Sequence, residues 1–136
     1  MNVLVIDAQG GGIGRQLVAA IKQSIPTTRV TAVGANSTAT SAMLKAGADS
    51  AATGENAVIV GCRKADVIAG PVGIVIADAL FGEITPAMAT AIGQSDAKRI
   101  LIPINHCDNI IVGVVDLSIA KLVQNAVDEI NALHKA

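Results

Sequence analysis

The chain has no tryptophan, no tyrosine and one phenylalanine, Phe81, in 136 residues. Proteins that hold exposed bases or flavin rings usually stack them on aromatic side chains, so recognition of that kind would have to rely on aliphatic groups here. Cysteine is as scarce: Cys62 and Cys107 stand far apart with no C-x-x-C spacing, and the N-terminus lacks a cationic stretch followed by an apolar signal core. A reducing cytoplasm is the expected setting. Neither sign of charge dominates, with ten Lys and Arg against eleven Asp and Glu interspersed along the chain. That excludes the basic stripe of a nucleic-acid binder. Long apolar runs are missing too, since the longest, residues 67–77, is too short for a membrane span and contains Gly70 and Pro71.

What the chain has is small aliphatic residues and glycine. Hydrophobic residues make up 51% of it, so the core must be built from Ala, Val, Ile and Leu, which suits a parallel sheet buried on both faces. The length fits one domain, residues 1–136, and is too short for a dinucleotide domain plus a catalytic one. A second half of any active site would come from another subunit, and a homo-oligomer is expected.

The N-terminus runs Val3-Leu4-Val5-Ile6-Asp7-Ala8-Gln9-Gly10-Gly11-Gly12-Ile13-Gly14, an apolar β-branched stretch emptying into four glycines. The pattern predicts a strand over 2–6, a glycine turn, and a helix over 12–24 with Ile13, Leu17, Val18 and Ile21 on one face. Glycine lets backbone N–H groups face an anion at close range, and the helix N-terminus adds partial positive charge. Phosphate suits that arrangement; so does a tight turn that only packs a helix close to a sheet. Asp7 reads either as a ligand for a ribose, metal or cation, or as a residue bonding nearby backbone amides.

A second strand is expected over 29–33, followed by a helix to about Ala46 capped by Ser37 or Thr38. Residues 57–60 read as a third strand and 66–69 as a fourth. Residues 72–80 form an apolar run that fits a buried helix or a buried strand, and Pro71 at a first helical position favours the helix; 99–103 reads as a strand and 110–114 as a short final strand. Thr85-Pro86 announces a helix ending near Gly93, and a long amphipathic helix over 117–133 closes the chain. Alternation of this kind predicts a three-layer α/β Rossmann-like fold with a mostly parallel sheet and helices on both faces. Ligands in such folds bind beyond the carboxyl ends of the strands, which selects residues 7–14, 34–40, 61–63, 70–73 and 105–108.

The glycine loop matches no standard motif in full. G-x-G-x-x-G fails because Arg15 or Leu17 takes the third glycine, and the P-loop pattern loses its first glycine, lysine and hydroxyl at Gln9, Arg15 and Gln16. ATP hydrolysis is therefore disfavoured. Gly12-Ile13-Gly14 resembles the short-chain dehydrogenase turn, but those enzymes use a Tyr–Lys pair and this chain has no Tyr. The place of the acid that binds the NAD ribose is occupied by Asn36, Ser37 and Thr38. Asn36 suits a ribose hydroxyl, and Ser37 or Thr38 a phosphate, as in NADP or a mononucleotide.

Glu55 and Glu83 read as acids or bases for catalysis, or as a solvated turn and part of a helix start. Gly70 marks a second junction where backbone amides could cradle an anion. His106 and Cys107, in the polar segment Asn105-His106-Cys107-Asp108 at the end of a strand, are the best-equipped candidates for acid, base or nucleophile chemistry, with ligand binding or a plain loop as the alternatives. Neighbours in extended chain point opposite ways, so His106 is badly placed to activate Cys107, and the pair falls short of a metal site.

Taken together, the runs at Ile6-Asp7 to Gly14, Asn36-Ser37, Ala46-Gly47-Ala48, Thr53-Gly54-Glu55-Asn56-Ala57, Gly70-Pro71, Gly82-Glu83-Ile84-Thr85-Pro86 and Ile102-Pro103 resemble a small bacterial family known only as a domain of unknown function. The resemblance spans nearly the whole chain and implies a bacterial, cytoplasmic protein with no activity attached. Three expectations stand: a binding protein for a nucleotide or phosphorylated metabolite, held by Gln9, Gly10, Gly11, Gly12, Ile13 and Gly14 with Asn36 to Thr38; a small enzyme on a phosphorylated or carboxylated metabolite at a subunit interface; and a non-catalytic oligomeric scaffold.

Overall fold

The computed structural model describes residues 1–104 and 108–136. Five parallel strands form one sheet: β1 (Asn2–Asp7), β2 (Arg29–Gly34), β3 (Ser50–Thr53), β4 (Val67–Pro71) and β5 (Lys98–Ile102), in the order β3-β2-β1-β4-β5. Helices α1 (Gly12–Ser24), α2 (Ser37–Lys45), α3 (Glu55–Lys64), α4 (Pro86–Gln94) and α5 (Ile119–Lys135) cover it. The fold is a Rossmann-like α/β arrangement.

Alternation along β1 sorts the two faces. Val3 and Val5 join Leu17, Val18 and Ile21 of α1, Met43 of α2 and Val127 and Ile130 of α5 in one core. Leu4 and Ile6 join Val58 and Cys62 of α3 and Met88 and Ile92 of α4 in the other. Both faces of a strand can be apolar only where both are covered, which is why β1 reads as an unbroken hydrophobic run. The order reverses at β1, flanked by β2 on one side and β4 on the other, with Asn2 beside Arg29 and Val3 beside Val67. A crevice at the carboxyl ends of β1 and β4 is where such sheets place their ligands.

The structure departs from the expected elements in several places. Residues 57–60 lie inside α3, and the third strand is Ser50–Thr53, short and part-exposed at the sheet edge. Residues 61–63 are therefore also helical and do not reach the binding edge; Gly61 instead lets α3 approach Leu4. Residues 72–80 form only a 3₁₀ turn, Val72–Val75, followed by irregular chain. Residues 110–114 join no strand, and α5 begins at Ile119. That segment leaves Ile110 and Val112 more than nine-tenths exposed. Among the described residues, no helix is long and apolar enough to cross a membrane.

Away from the crevice, Lys22 of α1 pairs with Asp49 at 3.0 Å, and Asp49 also accepts the N–H of Val30 at 2.8 Å. These two contacts, the backbone N–H first and Lys22 second, hold the Asp49 carboxyl below its ordinary 3.8. A lowered carboxylate favours the folded state above about pH 3.8, and that contribution fades as pH falls through its folded value. Asp49→Asn should therefore narrow the stability difference between pH 6 and pH 2.5 in urea melts. An unchanged acid profile would show that the pair contributes nothing.

Candidate functional site

The loop between β1 and α1 is tied from beneath by Asp7. This carboxylate is buried and accepts N–H bonds from Ala8 at 2.8 Å and Gly14 at 2.6 Å, closing the turn on itself. Burial pushes its carboxyl above the ordinary 3.8, the two amides oppose the shift, and the charge of Glu83 adds to it. Asp7 thus orients the loop. The turn is sharpened by two left-handed residues, Gln9 (φ 53°) and Gly11 (φ 72°), and Gly11 begins α1 with no side-chain cap.

The glycines of the loop divide into two kinds. A Cβ on Gly11 would meet the α2 backbone at Ala39 at 2.9 Å, and one on Gly14 would meet Asp7 Cβ at 2.8 Å and the side chain of Met43. Those two bring α1 against α2 and the sheet. Gly10 and Gly12 have open space where a Cβ would lie and do not take positive φ, so neither packing nor conformation requires glycine there.

Beside the loop, α2 is capped by Asn36, whose Oδ1 accepts the N–H of Ala39 at 2.9 Å; the cap is not Ser37 or Thr38 as the spacing predicted. Asx side chains outrank threonine at that position, and Asn36 has the extended backbone a cap needs. Its amide nitrogen donates to Gln9 O at 2.9 Å and to Glu83 Oε1 at 2.5 Å, so Asn36 is fully engaged within the protein. Gly34 is glycine because Thr40 crosses it; Thr40 Oγ1 then bonds Thr53 Oγ1 at 2.7 Å and locks α2 to the end of β3.

Freed from capping, Ser37 and Thr38 line an open groove of about 780 Å³ between α1 and α2, with Arg15, Gln16, Ser41 and Lys45. Arg15 and Lys45 are its only charged groups, and neither forms an ion pair among the described residues. Sequence reasoning passed over Lys45. The signal was the polar stripe Ser37, Ser41, Lys45, at i, i+4 and i+8 on α2.

The remaining candidates are distributed along the same edge. Both oxygens of Glu83 accept the N–H of Gln9, at 3.2 and 3.1 Å, which seats a carboxylate over the start of the glycine loop. Glu55, at the start of α3, accepts from Thr85 Oγ1 at 2.6 Å while Thr85 caps α4 through the N–H of Met88 at 3.1 Å. Gly70 is buried where β4 passes β1, and a Cβ there would overlap the carbonyl oxygen of Ile6. The four-residue 3₁₀ turn that follows is too short to act as a helix N-terminus for an anion. His106 and Cys107 lie outside the described residues. Cys62 is buried on the α3 face, its thiol pushed up to about 11 by burial.

Between Ile76 and Thr85 the chain runs in irregular form beyond β4 and brings Glu83 against Gln9. Asp78, Leu80 and Phe81 all take positive φ, between 57° and 65°, followed by Gly82 at 81°. For L residues each such position costs roughly 1–2 kcal/mol. Leu80 is buried against Gly73, whereas Phe81 beside it is 98% exposed.

Residues 2–135 match a family described as a domain of unknown function, DUF3842. The chain belongs to that family. No curated protein matches the sequence. Among solved structures the chain is similar to a dodecameric FMN-dependent UbiX-like decarboxylase from Escherichia coli O157:H7, with 16% identity, 96% of this chain and 76% of that one covered, and a TM-score of 0.48.

Proposed function

We propose that this DUF3842 chain binds a nucleotide or related phosphorylated metabolite at the carboxyl edge of its sheet, with phosphate on the backbone N–H groups around Gly10 and Gly12. The observation that carries the reading is the division of the glycines. Gly11, Gly14, Gly34 and Gly70 are accounted for by close contacts or a left-handed φ, while Gly10 and Gly12 face open space at an uncapped helix start. Backbone left bare for approach from outside is what an anion at a helix N-terminus needs. The groove with Arg15, Lys45, Ser37 and Thr38 offers a second anionic group complementary charge and hydroxyl donors. A ligand with two separated phosphates, or a phosphate and a carboxylate, fits this pair of sites better than a plain dinucleotide, because the position usually held by a ribose-binding acid is Asn36, which the protein itself occupies.

The test is a thermal-shift screen of the full chain against NAD, NADP, FMN, ATP, GTP, cyclic dinucleotides and sugar phosphates. A ligand at about 100 times its dissociation constant stabilises by roughly 2.7 kcal/mol, a shift of several degrees for a chain of this size. NADP and other doubly anionic compounds should give the largest shifts. If none of these compounds moves a cooperative melt, the phosphate reading is lost and the packing role of the glycines is all that remains.

A further inference from the structure

The mouth of the glycine loop already holds an anion. Glu83 places its carboxylate on the N–H of Gln9 and on the amide of Asn36, two donors at the point where the loop leaves β1. A free anion arriving at Gly10 would meet that charge at close range, unscreened by any cation bonded to Glu83 among the described residues. Two anions cannot share those donors. The segment that delivers Glu83 is unlike the rest of the crevice wall, with three non-glycine residues in the left-handed region and the chain's one aromatic side chain directed to solvent at its tip. Ala79 and Leu80 before the tip and Ile84 after it are buried, and Thr85 caps α4, so the segment is anchored on both sides of an exposed crest at Phe81 and Gly82.

We propose that Glu83 is an internal stand-in for the ligand's phosphate: it holds the loop closed when the site is empty, and a phosphate-bearing ligand binds by expelling it, with residues 81–83 turning away from the glycine loop while Ala79 and Leu80 stay in the core. This rests on the reading of the loop as a phosphate site. The exchange needs no new donor, because the N–H of Gln9 and the amide of Asn36 pass from a carboxylate to a phosphate oxygen. Relaxing the left-handed position at Phe81 favours the open form, and loss of the two Glu83 contacts opposes it. Glu83 thereby sets a threshold: weakly anionic compounds fail to displace it, and dianionic phosphates succeed.

Pyrophosphate is the probe, titrated into the isotope-labelled full chain and followed by the amide resonances of Gln9, Gly10 and Gly12 and the side-chain carboxyl resonance of Glu83. In the wild type, the Glu83 carboxyl should move toward its free-solvent position with the same midpoint as the glycine amides. Glu83→Gln, which keeps the shape and an acceptor but removes the charge, should bind pyrophosphate at least tenfold more tightly. If the glycine amides shift while the Glu83 carboxyl stays fixed, and Glu83→Gln binds no more tightly, the stand-in role is overturned and the phosphate site survives. Absence of any pyrophosphate response in both wild type and Glu83→Gln overturns the phosphate site and this role with it. The carboxyl resonance is read in the wild type, so the outcome does not depend on the variant folding.

Discussion

Gly70→Ala is expected to destabilise the fold by about 3 kcal/mol, at the upper end of what overpacking usually costs. β4 runs beside β1 at the centre of the sheet, with Leu4 in register with Ile68 and Val5 with Ala69. A methyl at Gly70 would overlap the backbone carbonyl of Ile6 and come within 3.0 Å of Ile74 Cδ1. Side chains can turn aside; a carbonyl in a central strand cannot, because shifting it breaks the pairing that positions Asp7 and the loop beyond it. Ile6 and Ile74 are both fully buried, so there is no slack to absorb the displacement. Urea denaturation of Gly70→Ala against Gly93→Ala measures this directly. Gly93 lies in α4 with open space at its Cβ position, and alanine there should stabilise by up to about 1 kcal/mol through helix propensity. Equal midpoints for the two variants would show that the β1–β4 approach tolerates a methyl.

A second pair of substitutions separates binding from folding. Gly12→Asp should leave the fold intact and weaken phosphate binding at least a hundredfold, about 2.7 kcal/mol. Gly12 is the first residue of α1 and its Cβ would lie in open space, so aspartate there meets nothing, and its charge is favoured by the helix N-terminus by about 0.3–1 kcal/mol. The same charge faces an incoming phosphate, where two unit charges about 4 Å apart repel by roughly 4 kcal/mol at an effective dielectric constant of 20. Gly14→Asp is also expected to lose binding, but by a different route. Its side chain would collide with Asp7 and Met43 in a buried position and leave a second carboxylate beside the first. Its melting transition should fall sharply or vanish. The informative comparison is a melt and a ligand titration on both variants: retained affinity in a well-folded Gly12→Asp removes phosphate from the loop, and a Gly14→Asp as stable as wild type contradicts the packing assigned to that glycine.

The first third of the chain was readable because its signals are local. The strand–glycine–helix opening has an apolar run before Asp7 and helical spacing after Gly12, and the expected bounds of α1 match the structure. Thr85-Pro86 behaved as a local helix start for the same reason. Failures came where local and tertiary preferences part. Four apolar residues in a row at 57–60 fit a strand or a helix equally well. The deciding cues were electrostatic: Glu55 lies in the first turn of α3, with Arg63 and Lys64 in the last, each at the pole that suits its charge. The true third strand, Ser-Ala-Ala-Thr, has almost no β signal because it sits half-exposed at an edge and is held by its pairing with β2. Residues 110–114 have the composition of a strand but pair with no neighbour among the described residues.

The placement of the candidate residues in the fold was legible, and their mutual arrangement was not. Asp7, Gln9, the loop glycines, Asn36, Ser37, Thr38, Glu55 and Glu83 all lie along the carboxyl edge, as the rule for open parallel sheets implies. Their partners were hidden, because Glu83 meets Gln9 across 74 positions of sequence and Thr85 meets Glu55 across 30. No pattern within a window of one helix reports such pairs.

The central place of β1 also governs how the protein is made. Strands β1, β2 and β3 pair in the order in which they are synthesised, each with its predecessor. They can assemble against α1 and α2 while the rest of the chain is still being translated. The other side of β1 must wait for Val67, in register with Val3, and until then a row of backbone donors and acceptors stands open beside Leu4 and Ile6. An incomplete chain therefore carries an unpaired edge at its most hydrophobic strand, the kind of surface on which nascent proteins seek each other or a chaperone.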